Sequence, residues 1–401
     1  MISRLSHQSM KYYFAAMFAS LSFSVSNVFA QEQEPAAIYV GPFDVTPTLG
    51  VNAERNDNVF LEQAGNETSS TLTRITPQLS AVADNEVTRY EIAYGLENGR
   101  YSGIDSNDYT DHTLEGKLGW RPSIRHLIEL GVSEVRGHDE RTVDSVTTGL
   151  NLTELDKTKR RGLSANYTFG SEGARGQVVI GFTTNSLRYT TNQSETNILE
   201  SDTDSVSARF SVGVGASTRA LVEVRRSENT FRANSANDRE DRSYSVGVEW
   251  EITDLIKGEL SVGRANNNLV NQVGDTSSSV GEASIIWSPV DHSSLTLTAN
   301  KSAENSENNI GSFVDRNSVE LGWRYDFNDR FSTTTTLGRQ RDTFVDANRQ
   351  DTTNESQIQV NYAFRRWMSL GLGLSREKRA SSDSSRDYDN NKLILSISSS
   401  L

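Results

Sequence analysis

From residue 43 to the C-terminus, apolar and polar residues alternate with a period of two in one segment after another. Tyr244, Val246, Val248, Trp250 and Ile252 alternate with Ser245, Gly247, Glu249 and Glu251. Val319, Leu321, Trp323, Tyr325 and Phe327 alternate with Glu320, Gly322, Arg324 and Asp326. The same pattern runs through Tyr90–Leu96, Leu163–Phe169, Ala208–Val214, Ile358–Phe364 and Met368–Leu374. Successive side chains of a strand point to opposite faces, so each segment carries one apolar and one polar face. No comparable 3.6-residue stripe accompanies them, and the chain reads as all-β.

The connections between these segments also alternate. One set is tight: Asp84–Glu86, Arg121–Ser123, Gly170–Gly173, Ala216–Thr218, Thr253–Asp254, Ser288–Asp291, Asn328–Arg330 and Arg365–Arg366. The other is long and rich in Asn, Asp, Ser and Thr: 55–66, 102–109, 138–156, 191–203, 233–241, 267–277, 303–313, 343–353 and 379–387. Short turns at one rim and long loops at the other predict a transmembrane up-and-down antiparallel β-barrel. Nine loops and eight turns give about 18 strands, with 16 the alternative. The chain ends inside an alternating segment, with Leu393, Leu395, Ile397 and Leu401 on one face, as a barrel that pairs its last strand with its first requires.

Composition sharpens this picture. Hydrophobic residues make up 35% of the 401, a thin core for a soluble protein but enough for a barrel with one lipid-facing surface. The first thirty residues read as a secretory signal peptide: Arg4 and Lys11 precede an apolar run that ends at Val28-Phe29-Ala30. Residues 31–42 then form a short periplasmic leader and 43–401 the barrel, placing the protein in the outer membrane of a Gram-negative bacterium. A formal charge of −13 argues against a nucleic-acid partner, and the absence of cysteine removes disulfides and thiolate chemistry.

Charges cannot face lipid, so the polar faces supply the candidate lumen lining: Glu115, Lys117, Glu129, Arg209, Glu223, Arg225, Glu249, Glu251, Glu259, Glu282, Glu320 and Arg324. Aromatic residues beside the tight turns supply a candidate interfacial girdle: Trp120, Phe169, Trp250, Trp287, Tyr325, Phe327, Phe364 and Trp367. The competing reading of these rings, a core stack in a soluble sandwich, fits less well with four of five Trp lying near predicted turns. Catalytic signals are weak. Beyond residue 30 only His112, His126, His138 and His292 occur, and no nucleophile elbow or phosphate loop is present. His138-Asp139-Glu140 and Asp105–Asp108 are more simply polar loop sequence than a catalytic or metal site. No catalytic residue, metal or cofactor is expected.

Asn56-Asp57-Asn58-Val59-Phe60, just after the predicted first strand Pro47–Val51, resembles the opening of the β-barrel porin-2 family of Gram-negative bacteria. The Asp and Asn would open the first loop as an Asx-type turn. The resemblance extends over nearly the whole mature chain, although Leu401 stands where an aromatic end is usual. It implies an outer-membrane pore accompanying exopolysaccharide or capsule clusters and helping to carry polymer across the outer membrane. The partners implied are outer-membrane lipid and lipopolysaccharide, the barrel-assembly machinery, polysaccharide and periplasmic export components. A general diffusion porin for small solutes, and a structural or adhesive barrel plugged by its loops, are the alternatives.

Overall fold

The computed structural model describes residues 38–145, 147, 154–171, 173–253, 255–269, 276–304, 313–345 and 347–400. The expected signal peptide and most of the leader lie outside them. The first half of the chain forms β1 (Ile38–Val40), β2 (Phe43–Asn56), β3 (Ser70–Asp84), β4 (Thr88–Tyr101), β5 (Tyr109–Ser123), β6 (His126–Asp139), β7 (Asp156–Phe169), β8 (Gly176–Tyr189), β9 (Ser201–Gly213) and β10 (Thr218–Phe231). The second half forms β11 (Arg239–Thr253), β12 (Ile256–Leu269), β13 (Thr276–Val290), β14 (Ser293–Glu304), β15 (Val314–Asp326), β16 (Phe331–Phe344), β17 (Arg349–Arg365), β18 (Met368–Ser381) and β19 (Tyr388–Ser400).

Strands β2 to β19 pair antiparallel with their sequence neighbours, and β19 pairs with β2, so eighteen strands close into a barrel. Strand β1 is a short addition, folded back on β2 through Gly41. Closure removes both sheet edges and satisfies the backbone within the protein, the condition for crossing hydrocarbon as strands.

Register keeps the apolar face continuous. Leu297 lies opposite Leu321, which lies opposite Leu337; Val222, Val246 and Val262 align in the same way. These side chains are exposed, Leu321 at 37% and Val246 at 57%. The buried set is largely polar, including Asn58, Ser70, Thr196 and Asn390, and buried apolar groups such as Leu72, Leu155 and Tyr388 sit toward the long-loop rim. An apolar band around the whole circumference far exceeds the exposed patches that soluble monomers tolerate, and lipid is its natural solvent.

The chain closes at a short seam. Among the described residues β19 and β2 share nine pairs, from Lys392↔Asn56 to Ser400↔Thr48, against fourteen between β16 and β17. Side chains of the Asn56–Phe60 segment reinforce it. Asn56 does form an Asx-type turn, its Oδ1 accepting from Asn58 N–H at 2.8 Å. Asp57 has another role: it accepts from Asn391 N–H at 2.7 Å and from Asn391 Nδ2 at 2.8 Å, across the seam. The fully buried Asn58 donates to the carbonyls of Glu62 and Asp389 and accepts from Glu62 N–H.

Several expectations shift, among them the turn expected at Ser288–Asp291, which falls at Asp291-His292 because Val290 pairs with Ser293. The turn expected at Arg121–Ser123 falls at Ile124-Arg125, because the pairing of Ser123 with His126 extends β5 and β6. The loop expected over 343–353 is confined to 345–348, since β16 and β17 continue above the apolar band. There both faces are polar, so the period-two signal disappears while the hydrogen-bond ladder persists. Residues Ile38–Val40 of the leader are paired as β1.

Two outcomes follow from this architecture. Leu321→Arg places a charge toward lipid near mid-strand and costs roughly 2–4 kcal/mol, so its folded, heat-modifiable gel band should weaken. Glu320→Arg, on the opposite face, should keep that band. The reverse result would shift the register of β15 by one residue. Asn58→Ala strands buried carbonyl and N–H groups at the seam and should lower stability by about 1–3 kcal/mol. Urea unfolding in detergent, followed by loss of the heat-modifiable band, measures it; a midpoint equal to wild type would show that the seam does not depend on this side chain.

Candidate pore lining and the clasp at its mouth

All twelve lumen candidates stand on the face opposite the apolar band. In β5, Leu114, Leu118 and Trp120 face outward, which puts Glu115 and Lys117 inward; Lys117 Nζ lies 3.5 Å from Glu115 and 3.6 Å from Glu91 of β4. In β6, Leu130 and Val132 face outward and Glu129 inward. The concavity of this face shows directly at Arg209. Its guanidinium in β9 reaches Glu259 of β12 at 2.8 Å, over β10 and β11, and passes Glu223 at 3.9 Å. Only on the inside of a curved sheet can side chains so far apart along the sheet converge. Glu223 also pairs with Arg225 at 3.1 Å, Glu251 with Lys257, and Arg324 with Asp326 at 2.9 Å.

Pairing aligns several of these carboxylates. The inward positions Glu249, Glu259, Ser284, Thr298, Glu320, Gly338, Glu355, Glu377 and Asn390 follow one another along the hydrogen-bond direction from β11 to β19. Glu249 lies near the tight-turn end of β11 and Glu377 near the long-loop end of β18. Because barrel strands tilt, such a row climbs the wall rather than circling at one height. Among the described residues Glu249, Glu320 and Glu355 have no ion-pair partner within 4 Å. Glu355 and Glu377 were absent from the sequence candidates, although their position in the period-two pattern of β17 and β18 would have found them.

At the long-loop rim residues 140–145, which follow β6, turn inward. Val143 N–H donates to the carbonyl of Phe60 at 3.2 Å. Asp144 then meets three arginines six to eight strands round the barrel: Arg349 of β17 at 3.3 Å, Arg379 of β18, and Arg386 in the β18–β19 loop. Each arginine is held from another side. Arg349 is buried, pairs with Asp351 and lies 4.4 Å over the Phe344 ring. Arg379 lies 4.6 Å over the Tyr388 ring and donates from Nε to the carbonyl of Arg386 at 2.8 Å. Arg386 donates to Asp383 at 3.2 Å. Burial works against the charge of Asp144, but Arg379, Arg349 and Arg386 outweigh it and hold the carboxyl below its ordinary 3.8. No sequence signal marked this clasp, because its members are scattered over 242 positions between Asp144 and Arg386.

The aromatic candidates lie around the tight-turn rim. Trp120, Phe169, Trp287, Phe327, Phe364 and Trp367 are exposed there. Trp250 and Tyr325 are half-buried, and Tyr325 packs edge-on against Phe327 at 4.9 Å. The Trp250 ring lies over Gly258, where a Cβ would come within 2.5 Å of it. Phe331, Tyr362 and Trp323 join the same belt and were not among the candidates; Phe331 and Tyr362 stack at 4.8 Å.

The barrel, its outward apolar band and its polar interior define the class of protein: an outer-membrane porin. Residues 32–400 match the family described as "Putative beta-barrel porin 2", and the chain belongs to that family. No curated protein matches the sequence. Among solved structures it is similar to vanillate-bound OpdK of Pseudomonas aeruginosa, with 13% identity and a TM-score of 0.49 over 89% of this chain and 99% of that one. It is also similar to OccAB4 of Acinetobacter baumannii, with 12% identity and a TM-score of 0.48 over 92% and 100%. The FrpB iron transporter of Neisseria meningitidis, at 12% identity and a TM-score of 0.48, is covered over 63% of its length.

The clasp makes a pH-dependent prediction. A carboxylate held below its ordinary range stabilises the docked loop at neutral pH, and that contribution is lost as pH falls through the depressed value. Asp144→Asn should remove roughly 1.5–3 kcal/mol of docking, giving more frequent current fluctuations and faster tryptic cleavage at Arg141 at pH 7. Wild type should approach the same behaviour only in acid below the depressed value. Identical currents and cleavage for the two proteins at pH 7 would show that the ion cluster does not hold the loop.

Proposed function

We propose that this protein is a water-filled outer-membrane pore that passes hydrophilic solutes with a preference for cations over anions. The single observation that carries the reading is the climbing inward row of Glu249, Glu259, Glu320, Glu355 and Glu377, several of them without a paired cation. Carboxylates lining a passage raise the local concentration of cations and repel anions. The overall charge of −13 acts in the same sense. Conduction of this kind is passive and needs no reacting side chain.

A finer reading names the solute as an exported polysaccharide. It rests on family resemblance, and on the Ser284 and Thr298 hydroxyls interspersed with the carboxylates along the row. Such a track offers a sugar polymer successive hydrogen-bond partners as it advances. The unpaired carboxylates favour a neutral or amine-bearing chain over a polyanionic one. A general diffusion porin would need no such continuity.

Planar-bilayer recordings test both levels. In a potassium chloride gradient the reversal potential should report cation preference, and Glu320→Gln with Glu355→Gln should move it toward zero. An anion-selective or non-conducting wild type would overturn the pore reading in this form. Neutral oligosaccharides of increasing length should block the current for longer as they grow; block independent of length would favour the diffusion porin.

A further inference from the structure

On the outward face just above the apolar band, we propose that Arg339, Arg341, Arg376 and Lys378 form a docking surface for the phosphate groups of lipopolysaccharide. The period of two fixes their direction. Leu337 is exposed toward lipid, so Arg339 and Arg341 on the same face of β16 point outward above it. Leu374 is likewise exposed, and Arg376 and Lys378 follow it on β18. Between them β17 presents Asn354 and Ser356 above the exposed Ile358.

Register brings the cations together. Arg339 is opposite Asn354, which is opposite Lys378; Leu337 is opposite Ser356, which is opposite Arg376. Two strand spacings separate Arg339 from Lys378, and two residues separate Arg339 from Arg341, so the patch measures roughly 10 by 7 Å. All four side chains are exposed. Arg376 shares Asp389 at 2.5–3.1 Å, whereas no carboxylate lies within ion-pair distance of Arg339, Arg341 or Lys378 among the described residues.

Elsewhere at this rim several outward arginines are neutralised from within, while Arg55 and Arg264 donate singly to Ser69 and Ser277. Arg226 and Arg242 share Glu240, Arg188 pairs with Asp202, and Arg161 pairs with Glu134. Like charges on adjoining strands repel unless an anion joins them. The lower edge of this patch meets residues that hydrocarbon covers, so its natural counter-ion is an anion anchored in the outer leaflet. A phosphorylated glycolipid provides phosphate at that depth, with guanidinium groups suited to bind it.

The test uses the full-length folded protein in detergent, with bisphosphorylated lipid A as the probe and native mass spectrometry as readout. Wild type should retain lipid A in preference to monophosphorylated lipid A and phosphatidylglycerol. Arg339→Gln with Lys378→Gln should weaken lipid A binding by about thirtyfold, the product of two basic side chains at a lipid surface. Both proteins should show the heat-modifiable band, and Arg226→Gln, outside the patch, should bind as wild type does. Undiminished binding by the double variant, equal weakening by Arg226→Gln, or equal retention of phosphatidylglycerol would each overturn the proposal. None of these readouts depends on whether the lumen conducts.

Discussion

The rest of this structure depends on the pairing of β19 with β2. In hydrocarbon an unpaired strand edge leaves a row of backbone N–H and C=O groups without partners, at several kcal/mol each. Seventeen other pairings would be worth little with that one open. It is also a short one, with nine pairs among the described residues, and it joins parts of the chain more than three hundred positions apart. The Asn56–Phe60 segment lies where this weakness falls. Asp57 holds the first residues of β19 by both backbone and side chain, while buried Asn58 fastens the start of the first loop to the carbonyl of Asp389.

Closure has a second consequence, because it divides the side chains between two solvents. Along each strand alternate residues must suit lipid or water, and a slip of one residue would exchange every member of the two sets. The interior is therefore free to carry charge in any arrangement that its own pairings satisfy. Near β9–β12 it is satisfied in part, with Arg209 drawn to Glu259 and Glu223 while Glu249 has no ion-pair partner among the described residues. Along β15–β18 Glu320 and Glu355 face inward without an ion-pair partner among the described residues. The charge of one continuous wall is thus neutralised unevenly along its circumference.

Sequence legibility followed the same division. Wherever a strand crosses the apolar band, one face is compelled to be hydrophobic, so Leu321, Val246 and Ile358 could be assigned to lipid and Glu320 to the interior. The strand number was legible because tight turns and polar loops alternate. Above the band the compulsion ends. Arg349–Thr353 read as loop, yet they continue β17, since water on both sides leaves no period-two mark. The shift of the turn to Ile124-Arg125 has a related cause, with Pro122 and Ser123 lying at the end of a ladder that the pattern alone cannot bound. The clasp was illegible for a different reason: Asp144, Arg349, Arg379 and Arg386 are joined by the curvature of the barrel, and nothing local distinguishes them from other loop and rim charges.

The motif at the end of β2 links these levels. Its first residues close the wall, and its last, Phe60, accepts a hydrogen bond from Val143, one residue before the aspartate that meets the arginines of β17 and β18. The inward loop is thus held at two places: at the seam by backbone, and at β17 and β18 by charge. A backbone hydrogen bond is indifferent to pH and salt over the physiological range, whereas an ion cluster near water is sensitive to both. Of the two contacts the backbone one is the steadier, and the arginine one responds to acid and salt. A change at Asp144 touches none of the backbone pairs between β19 and β2.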